Sequence, residues 1–311
     1  MIKLVAITGA TATGKSALAV KLAKALNGEI ISGDSAQVYR GMDIGTAKAT
    51  REEMEGIPHY LIDVLDIQSP FSAGSFAELG GKAAEDIHSR GKLPIVAGGT
   101  GLYIDALTGA TLLSDAKDSD SVIREQLMQK ARDEGAQALH AYLASIDPEA
   151  AAEIHPNNVK RVARAIEIYL VTGKTKTELN SEQRAQERFE RLLIVLNSPN
   201  RELLYSRINA RVDIMMEAGL LEEARRLWEA GLESTPTAGQ AIGYKEFFPY
   251  FMGLCDLQSS VDRVKQASRN YAKRQETYFR RMKDAVFLDC TMQKEQLFDT
   301  ALGYIKDFLA D

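Results

Sequence analysis

The chain is poor in several features that would single out a function. Among its 311 residues there are two cysteines, Cys255 and Cys290, far apart in sequence. That is neither a disulfide framework nor a zinc-ligand spacing. No apolar run approaches the ~18 residues that a membrane span needs. The N-terminal Met1-Ile2-Lys3-Leu4-Val5 enters a strand pattern without signal-peptide character. A cytoplasmic protein with no membrane association is therefore expected. Excess charge is small: 38 Lys and Arg against 43 Asp and Glu leave −5, which excludes a wholly basic nucleic-acid binder while leaving local patches possible. The remainder is an ordinary globular composition, 45% hydrophobic and 26% charged. At this length an α/β core with an inserted or second domain is expected.

The first third alternates short apolar runs with helical stretches, the pattern of βαβ units in a parallel sheet. Strands are predicted at 2–8, 29–32, 60–64 and 93–97, with helices opening at Lys15 and spanning roughly 76–89. Gly33-Asp34-Ser35 follows the second strand and Gly98-Gly99-Thr100-Gly101 the fourth. In doubly wound sheets ligands sit beyond the strands' carboxyl ends, which makes these loops the candidate site. Residues 113–120 form a polar linker, and the next sixty carry helix periodicity over 120–133, 136–145, 148–154 and 157–172. Residues 181–188 are polar again, strands return at 192–196 and 286–288, and helices dominate the rest. The expected organisation is a core in two parts, 1–113 and 189–311, interrupted by a helical insertion at 114–188.

Gly9-Ala10-Thr11-Ala12-Thr13-Gly14-Lys15-Ser16 satisfies G-x-x-x-x-G-K-[ST] and lies between a predicted strand and a predicted helix. Such a loop turns backbone N–H groups inward, adds the partial positive charge of a helix N-terminus, and supplies Lys15 for phosphate oxygens and the Ser16 hydroxyl for Mg²⁺. A phosphate chain is the expected ligand. Whose phosphates these are is not legible from the loop.

Three further residues stand at predicted strand ends. Asp34 could ligate Mg²⁺, act as a general base, or only close an Asx turn. Asp63, after Leu61-Ile62, has the apolar-run-then-Asp pattern of a magnesium-holding second motif, or is only a strand end. Thr100 offers a hydroxyl where glycines allow close backbone approach. Two segments reverse the overall charge. Residues 260–284 hold eight cations against three acids, and 157–176 hold five against one. Each is either a solvated helix face or a surface for backbone phosphates, so nucleic acid is a candidate partner.

Gly33-Asp34-Ser35-Ala36-Gln37-Val38-Tyr39, then Met42-Asp43-Ile44-Gly45-Thr46-Ala47-Lys48, joins the phosphate loop, Gly98-Gly99-Thr100-Gly101-Leu102-Tyr103, His155-Pro156-Asn157, Gly239-Gln240-Ala241-Ile242-Gly243-Tyr244-Lys245 and Tyr271-Ala272-Lys273-Arg274-Gln275-Glu276-Thr277-Tyr278-Phe279-Arg280. In this order, over nearly the whole chain, the set closely resembles the tRNA dimethylallyltransferase family in its bacterial form. The resemblance implies a P-loop NTPase-like parallel sheet flanked by helices, with an all-helical, tRNA-binding insertion. It also implies transfer of a dimethylallyl group from dimethylallyl diphosphate to N6 of the adenine 3′-adjacent to the anticodon. The loop then holds a diphosphate leaving group rather than ATP.

On this resemblance Asp34 takes the amine proton and Thr100 positions the reacting groups. Residues Gly9, Ala10, Thr11, Ala12, Thr13, Gly14, Lys15 and Ser16, with Arg211, neutralise the diphosphate, and Mg²⁺ is held through Ser16. The expected tRNA contacts are Asp34, Ser35, Ala36, Gln37 and Thr100; Arg124 with Lys160, Arg161, Val162, Ala163 and Arg164; and Gln240, Ala241, Ile242, Gly243, Tyr244 and Lys245. The target base should flip out of the anticodon loop to reach the allyl carbon. A monomer is expected. A small-molecule or nucleotide kinase is the main alternative, and ATP turnover without RNA would favour it. A GTP-dependent switch or RNA-binding module is a second, against which stands the lack of an Asn-Lys-x-Asp string.

Overall fold

The computed structural model describes residues 1–109, 120–184 and 188–311. Strand β1 (Ile2–Gly9) leads through the phosphate loop into helix α1 (Lys15–Ala25), followed by β2 (Gly28–Ser32), the two-residue β3 (His59–Tyr60) and α2 (Ala73–Ser89). Strand β4 (Leu93–Gly98) and α3 (Gly101–Leu107) complete the first stretch. Helices α4 (Ser121–Glu134), α5 (Ala136–Ile146), α6 (Pro148–Glu153), α7 (Val159–Thr172) and α8 (Lys176–Arg184) follow. The chain continues with β5 (Phe189–Asn197), α9 (Arg201–Glu217), α10 (Leu220–Glu229), α11 (Phe248–Phe251), α12 (Leu257–Phe279), β6 (Val286–Asp289) and α13 (Lys294–Ala310).

The chain divides into two compact units: Met1–Phe71, Phe76–Ile104 and Phe189–Asp311 form the first, and Ser72–Ser75 with Asp105–Arg188 the second. The expected boundary at 113/114 and the linker 113–120, apart from Asp120, lie outside the described residues, as do 185–187 of the polar stretch before β5.

The first unit is built on a six-stranded parallel sheet in the order β3-β2-β4-β1-β5-β6. Strand β1 is central, with Val5 opposite Ile95 on β4 and Leu192 on β5. A parallel strand covered on both faces must be apolar throughout rather than alternating, and Leu4, Val5, Ala6 and Ile7 are wholly buried. Leu18, Val20 and Leu22 of α1 pack with Ile30, Ile95, Ile194 and Leu288 of the sheet and Leu297, Ala301 and Ile305 of α13. Each such side chain contributes about 1.5–3 kcal/mol of burial. The carboxyl ends of β1, β2 and β4 carry the phosphate loop, Asp34 and Thr100.

Strand β3 is shorter than its apolar run predicts. Leu61 and Asp63 adopt left-handed backbone conformations, with φ of 60° and 56°, which no strand accommodates. Asp63 pairs with the largely buried Lys48, which also bridges Asp43 and donates to the Tyr39 carbonyl at 3.0 Å. Its carboxylate is spent on bracing this loop, which corrects the magnesium-ligand alternative.

The second unit packs Leu127, Leu139, Leu143, Ala150, Val162, Ala163 and Ile166 into its own core. Asp120 caps α4, its Oδ1 accepting from the N–H groups of Val122 (2.8 Å) and Ile123 (3.2 Å). Asp147 caps α6 through Ala150 N–H and also accepts from the backbone and hydroxyl of Thr177. That bond anchors α8, an additional helix that polar residues conceal from periodicity.

Candidate active site

The phosphate loop turns through left-handed residues at Ala12 (φ 63°) and Gly14 (φ 86°) and delivers Lys15 and Ser16 to the first turn of α1. No acidic residue stands in that turn to neutralise the helix N-terminus. Thr13 Oγ1 donates to the Ala10 carbonyl at 2.8 Å, and Lys15 Nζ reaches the same carbonyl at 3.2 Å. Burial first and the nearby Arg211 guanidinium second bring the Lys15 ammonium down to about 8, with the Asp34 carboxylate opposing both. Arg211, on α9, is likewise lowered by burial. Two desolvated cations that repel each other beside a helix N-terminus make a site that an anion stabilises.

Asp34 leaves β2 in an Asx turn: Oδ1 accepts from Ala36 N–H at 2.9 Å and from Gln37 N–H at 3.4 Å. The turn fixes the carboxylate's direction. Gln37 is braced at both ends, accepting from Ser32 Oγ at 2.9 Å and donating to the carbonyls of Thr46 and Ala47. Its amide therefore holds the 34–47 segment in shape.

Thr100 begins the turn into α3, and its Oγ1 is buried with no hydrogen-bond partner, the one such side-chain atom among the described residues. An unsatisfied buried hydroxyl costs about 1–3 kcal/mol, which a bound ligand can recover. Tyr271 on α12 lies close by. Burial and then the Asp34 charge push its hydroxyl up to about 12. One turn along, Gln275 is buried with its amide between the phosphate loop and Gly99.

Of these residues, Asp34, Arg211 and Tyr271 border one cavity of about 260 Å³. Thr11, Asp34, Arg211 and Arg274 are on its polar side, and Ile208, Val212 and Met215 of α9 with Val264 of α12 form an apolar wall. Ser35 and Ala36 line it as well, and Gln240, Ala241, Ile242, Gly243 and Lys245 contribute a further side. The first unit thus brings Thr11 and Arg211 of the predicted donor site to the same cavity as Asp34, Ser35, Ala36, Lys245 and the 240–243 turn of the predicted acceptor contact. Tyr244 departs from expectation: its side chain is fully buried and donates to Glu223 at 2.7 Å, so it supports the lining turn and does not meet a ligand. The apolar wall, Tyr271, Gln275 and Glu223 are functional or supporting residues that motif reading leaves unassigned. Their spacing within helices is indistinguishable from ordinary core packing.

The remaining expected contacts lie in the second unit. Lys160 and Arg161 are exposed on α7, whereas Val162 and Ala163 are buried in the unit's core, which corrects their assignment as contacting side chains. Arg124 grips Glu167 with two hydrogen bonds of 3.0 Å, and Arg164 pairs with the same carboxylate at 2.9 Å. Both cations are therefore engaged within the unit.

For Mg²⁺, the described residues contain no cluster of three or more His, Cys, Asp or Glu fit to hold an ion. The donor set is the exposed Ser16 hydroxyl, with the remaining positions left to substrate oxygens. That set suits an ion that arrives with a phosphate chain, since Mg²⁺ commonly keeps few protein ligands.

The parallel sheet with a phosphate loop at the end of its central strand defines a P-loop NTPase-like α/β protein. The IPP transferase family model matches residues 37–282, and the chain belongs to that family. It is 47% identical over 310 residues to a tRNA dimethylallyltransferase of Bacillus subtilis (strain 168), with 97% of this chain and 98% of the relative covered. It is 50% identical over 310 residues to that of Geobacillus thermodenitrificans (strain NG80-2), with 98% of each covered. Among solved structures, the full-length tRNA isopentenylpyrophosphate transferase of Bacillus halodurans superposes with a TM-score of 0.74 at 44% identity, over 99% of this chain and 96% of the other. A eukaryotic dimethylallyltransferase acting on tRNA gives 0.83 at 32% identity, over 100% and 80%. No helix among the described residues is long and apolar enough to cross a membrane.

Proposed function

We propose that dimethylallyl diphosphate is the donor, and the N6 amine of the adenine 3′-adjacent to the anticodon the acceptor, in the prenyl transfer that this chain carries out on tRNA. The observation that carries this reading is the single cavity joining Thr11 of the phosphate loop, Asp34 and Arg211 to an apolar wall of Ile208, Val212, Met215 and Val264. A kinase needs to stabilise a transferred phosphoryl group and has no use for an aliphatic wall beside it. A prenyl diphosphate needs both halves.

In the proposed step the adenine N6 attacks the allylic C1, forming the C–N bond as the C1–O bond to diphosphate breaks. Asp34 accepts the proton released from N6. Lys15, Arg211 and the α1 N-terminus take up the charge on the departing diphosphate, where fixed donors are worth most in a desolvated site. Bound Mg²⁺ would neutralise diphosphate oxygens, held on the protein side through Ser16. On this reading the buried Thr100 hydroxyl, which lacks a partner in the protein, makes its hydrogen bond to a reacting group. Lys245 and the 240–243 turn border the side of the cavity where the extruded base would enter.

The test incubates purified protein with Mg²⁺, labelled dimethylallyl diphosphate and unmodified tRNA, without ATP, alongside Lys15→Ala and Asp34→Ala. Label on the RNA with the parent and its collapse in both variants is expected. ATP hydrolysis or phosphorylation of a small acceptor, with no label on any tRNA, would overturn the reading and favour the kinase.

A further inference from the structure

Gln275 has no place in the chemistry just described, yet it is buried, at 5% exposure, near the C-terminal end of a helix that borders the cavity. A buried amide has two donors and an acceptor to satisfy. Here Oε1 accepts from the backbone N–H of Thr11 at 2.9 Å, and Nε2 donates to the Gly99 carbonyl at 2.9 Å. One side chain therefore joins the third residue of the phosphate loop to the residue preceding Thr100. Gly99 is shaped around it: a Cβ at that position would lie 2.2 Å from Gln275 Nε2, and its other nearest atoms are 3.4 Å or more away. On the same helix, Tyr271 and Arg274, four and one residues earlier, line the cavity, with the Arg274 guanidinium 5.6 Å from the Tyr271 ring centroid.

We propose that Gln275 is a positioning residue for the transfer: its amide sets the spacing between the loop that holds the diphosphate and the turn that carries Thr100. This rests on the proposed reaction only in what the two loops hold. Bond-making and bond-breaking occur between those two sites, so a shift of about 1 Å in their separation costs on the order of 10²-fold in rate. The clamp's hydrogen bonds run only between the phosphate loop and the Gly99 carbonyl, so its loss is expected to act on the rate and not on the KM for tRNA.

The experiment is a double-mutant cycle between Gln275→Ala and Gly99→Ala, read as kcat, as the KM for tRNA, and as the affinity for inorganic diphosphate with Mg²⁺ measured calorimetrically without RNA. Gly99→Ala evicts the amide from one side and Gln275→Ala removes it from the other. Each single variant is expected to lower kcat about 10²-fold with tRNA KM within twofold of the parent. The double variant should be no slower than the worse single one, because once the amide is gone the nearest remaining neighbour of the added methyl is the Gly9 carbonyl oxygen at 3.5 Å, an ordinary contact. Multiplying defects in the double variant, kcat of Gln275→Ala within twofold of the parent, or a loss confined to tRNA KM would each overturn the proposal. If the parent itself transfers no label, the donor reading fails and the diphosphate affinities decide the clamp. Equal weakening in both single variants and the double supports it, and independent or absent effects overturn it. Should Gln275→Ala not fold, Gln275→Met preserves the volume without the hydrogen bonds and takes its place in the cycle.

Discussion

The Tyr244 hydroxyl donates to Glu223 Oε1 at 2.7 Å, and the same carboxylate accepts the backbone N–H groups of Ile44 at 3.0 Å, Gly45 at 3.1 Å and Asp43 at 3.2 Å. One buried acid on α10 thereby ties together two segments that border the cavity, the one around Gly45 and Thr46 and the turn from Gln240 to Lys245. Burial and the adjacent Glu223 charge push the Tyr244 hydroxyl well above the usual tyrosine range, so it remains a donor at every working pH.

Tyr244→Phe removes that donor without changing the ring. A hydrogen bond to a charged group contributes about 1.5–3 kcal/mol, and the variant should lose about that much in urea unfolding at pH 7. Its KM for tRNA should rise more than its KM for the donor, because Glu223 anchors the acceptor side. Stability equal to the parent's would show that Glu223 draws its anchoring from the backbone donors alone.

In the helical unit, Glu167 is wholly buried and holds both Arg124 and Arg164. Burial pushes its carboxyl up, but the bonds from Arg124, Arg164 and the Asp120 N–H outweigh that and leave it lowered. A lowered carboxylate contributes stability that is present above its unfolded pKa and lost as the pH falls through the folded one. Glu167→Ala should therefore cost roughly 2–3 kcal/mol near neutral pH, and the gap to the parent should close as both are taken to acid. A gap independent of pH would show that Glu167 acts through packing and not through its charge.

Lys15 gives diphosphate binding a pH dependence whose sign is fixed by the direction of its shift. The free site holds the ammonium near 8, lowered first by burial and then by Arg211. In the folded, ligand-free protein the charged form is penalised below pH 8, and the penalty is relieved as the pH rises from there toward the ordinary 10.5. A bound diphosphate favours the charged form and raises the pKa again. Below pH 8 binding needs no proton through Lys15; above it one proton is taken up, and affinity should fall by up to about tenfold per pH unit. Lys15→Arg stays charged throughout and should lose that slope in calorimetric titrations between about pH 7 and 9.5. An unchanged slope in Lys15→Arg would assign the dependence elsewhere.

Where one local pattern dictates one structure, the fold is legible in the chain. Leu4 to Ile7 is apolar on both faces and lies at the heart of the central parallel strand, and the G-x-x-x-x-G-K-S string marks a loop leading into a helix. Legibility ends where a contact joins distant segments. Asp63 ends an apolar run as a metal-ligating aspartate would, but the left-handed turn at Leu61 and Asp63 and the neighbouring Lys48 are tertiary facts. Arg124 and Arg164 belong to a charge pattern suited to phosphates, and their shared partner Glu167 is disclosed only by the packing of α4 on α7. Val162 and Ala163 share a segment with Lys160 and Arg161, and helix phase separates the two pairs into core and surface. Gln275 occupies a recognisable motif, yet its partners Thr11 and Gly99 are more than 170 residues away.

Asp34→Asn separates the two roles that Asp34 could fill. An amide oxygen can still accept from Ala36 N–H, so the Asx turn and the fold should survive, while the charge and the proton acceptor are lost. If Asp34 removes the N6 proton, kcat should fall about 10²- to 10⁴-fold. Affinity for diphosphate should hold or tighten, because a carboxylate near the anion has gone. The same substitution withdraws the one neighbour that raises the Lys15 pKa, so the pH at which diphosphate affinity begins to fall should move below 8. These readouts are independent: the rate reports on the proton, the midpoint on the charge. A variant whose midpoint moves while its kcat stays within about tenfold of the parent would make Asp34 an electrostatic and orienting group and leave proton removal to another acceptor.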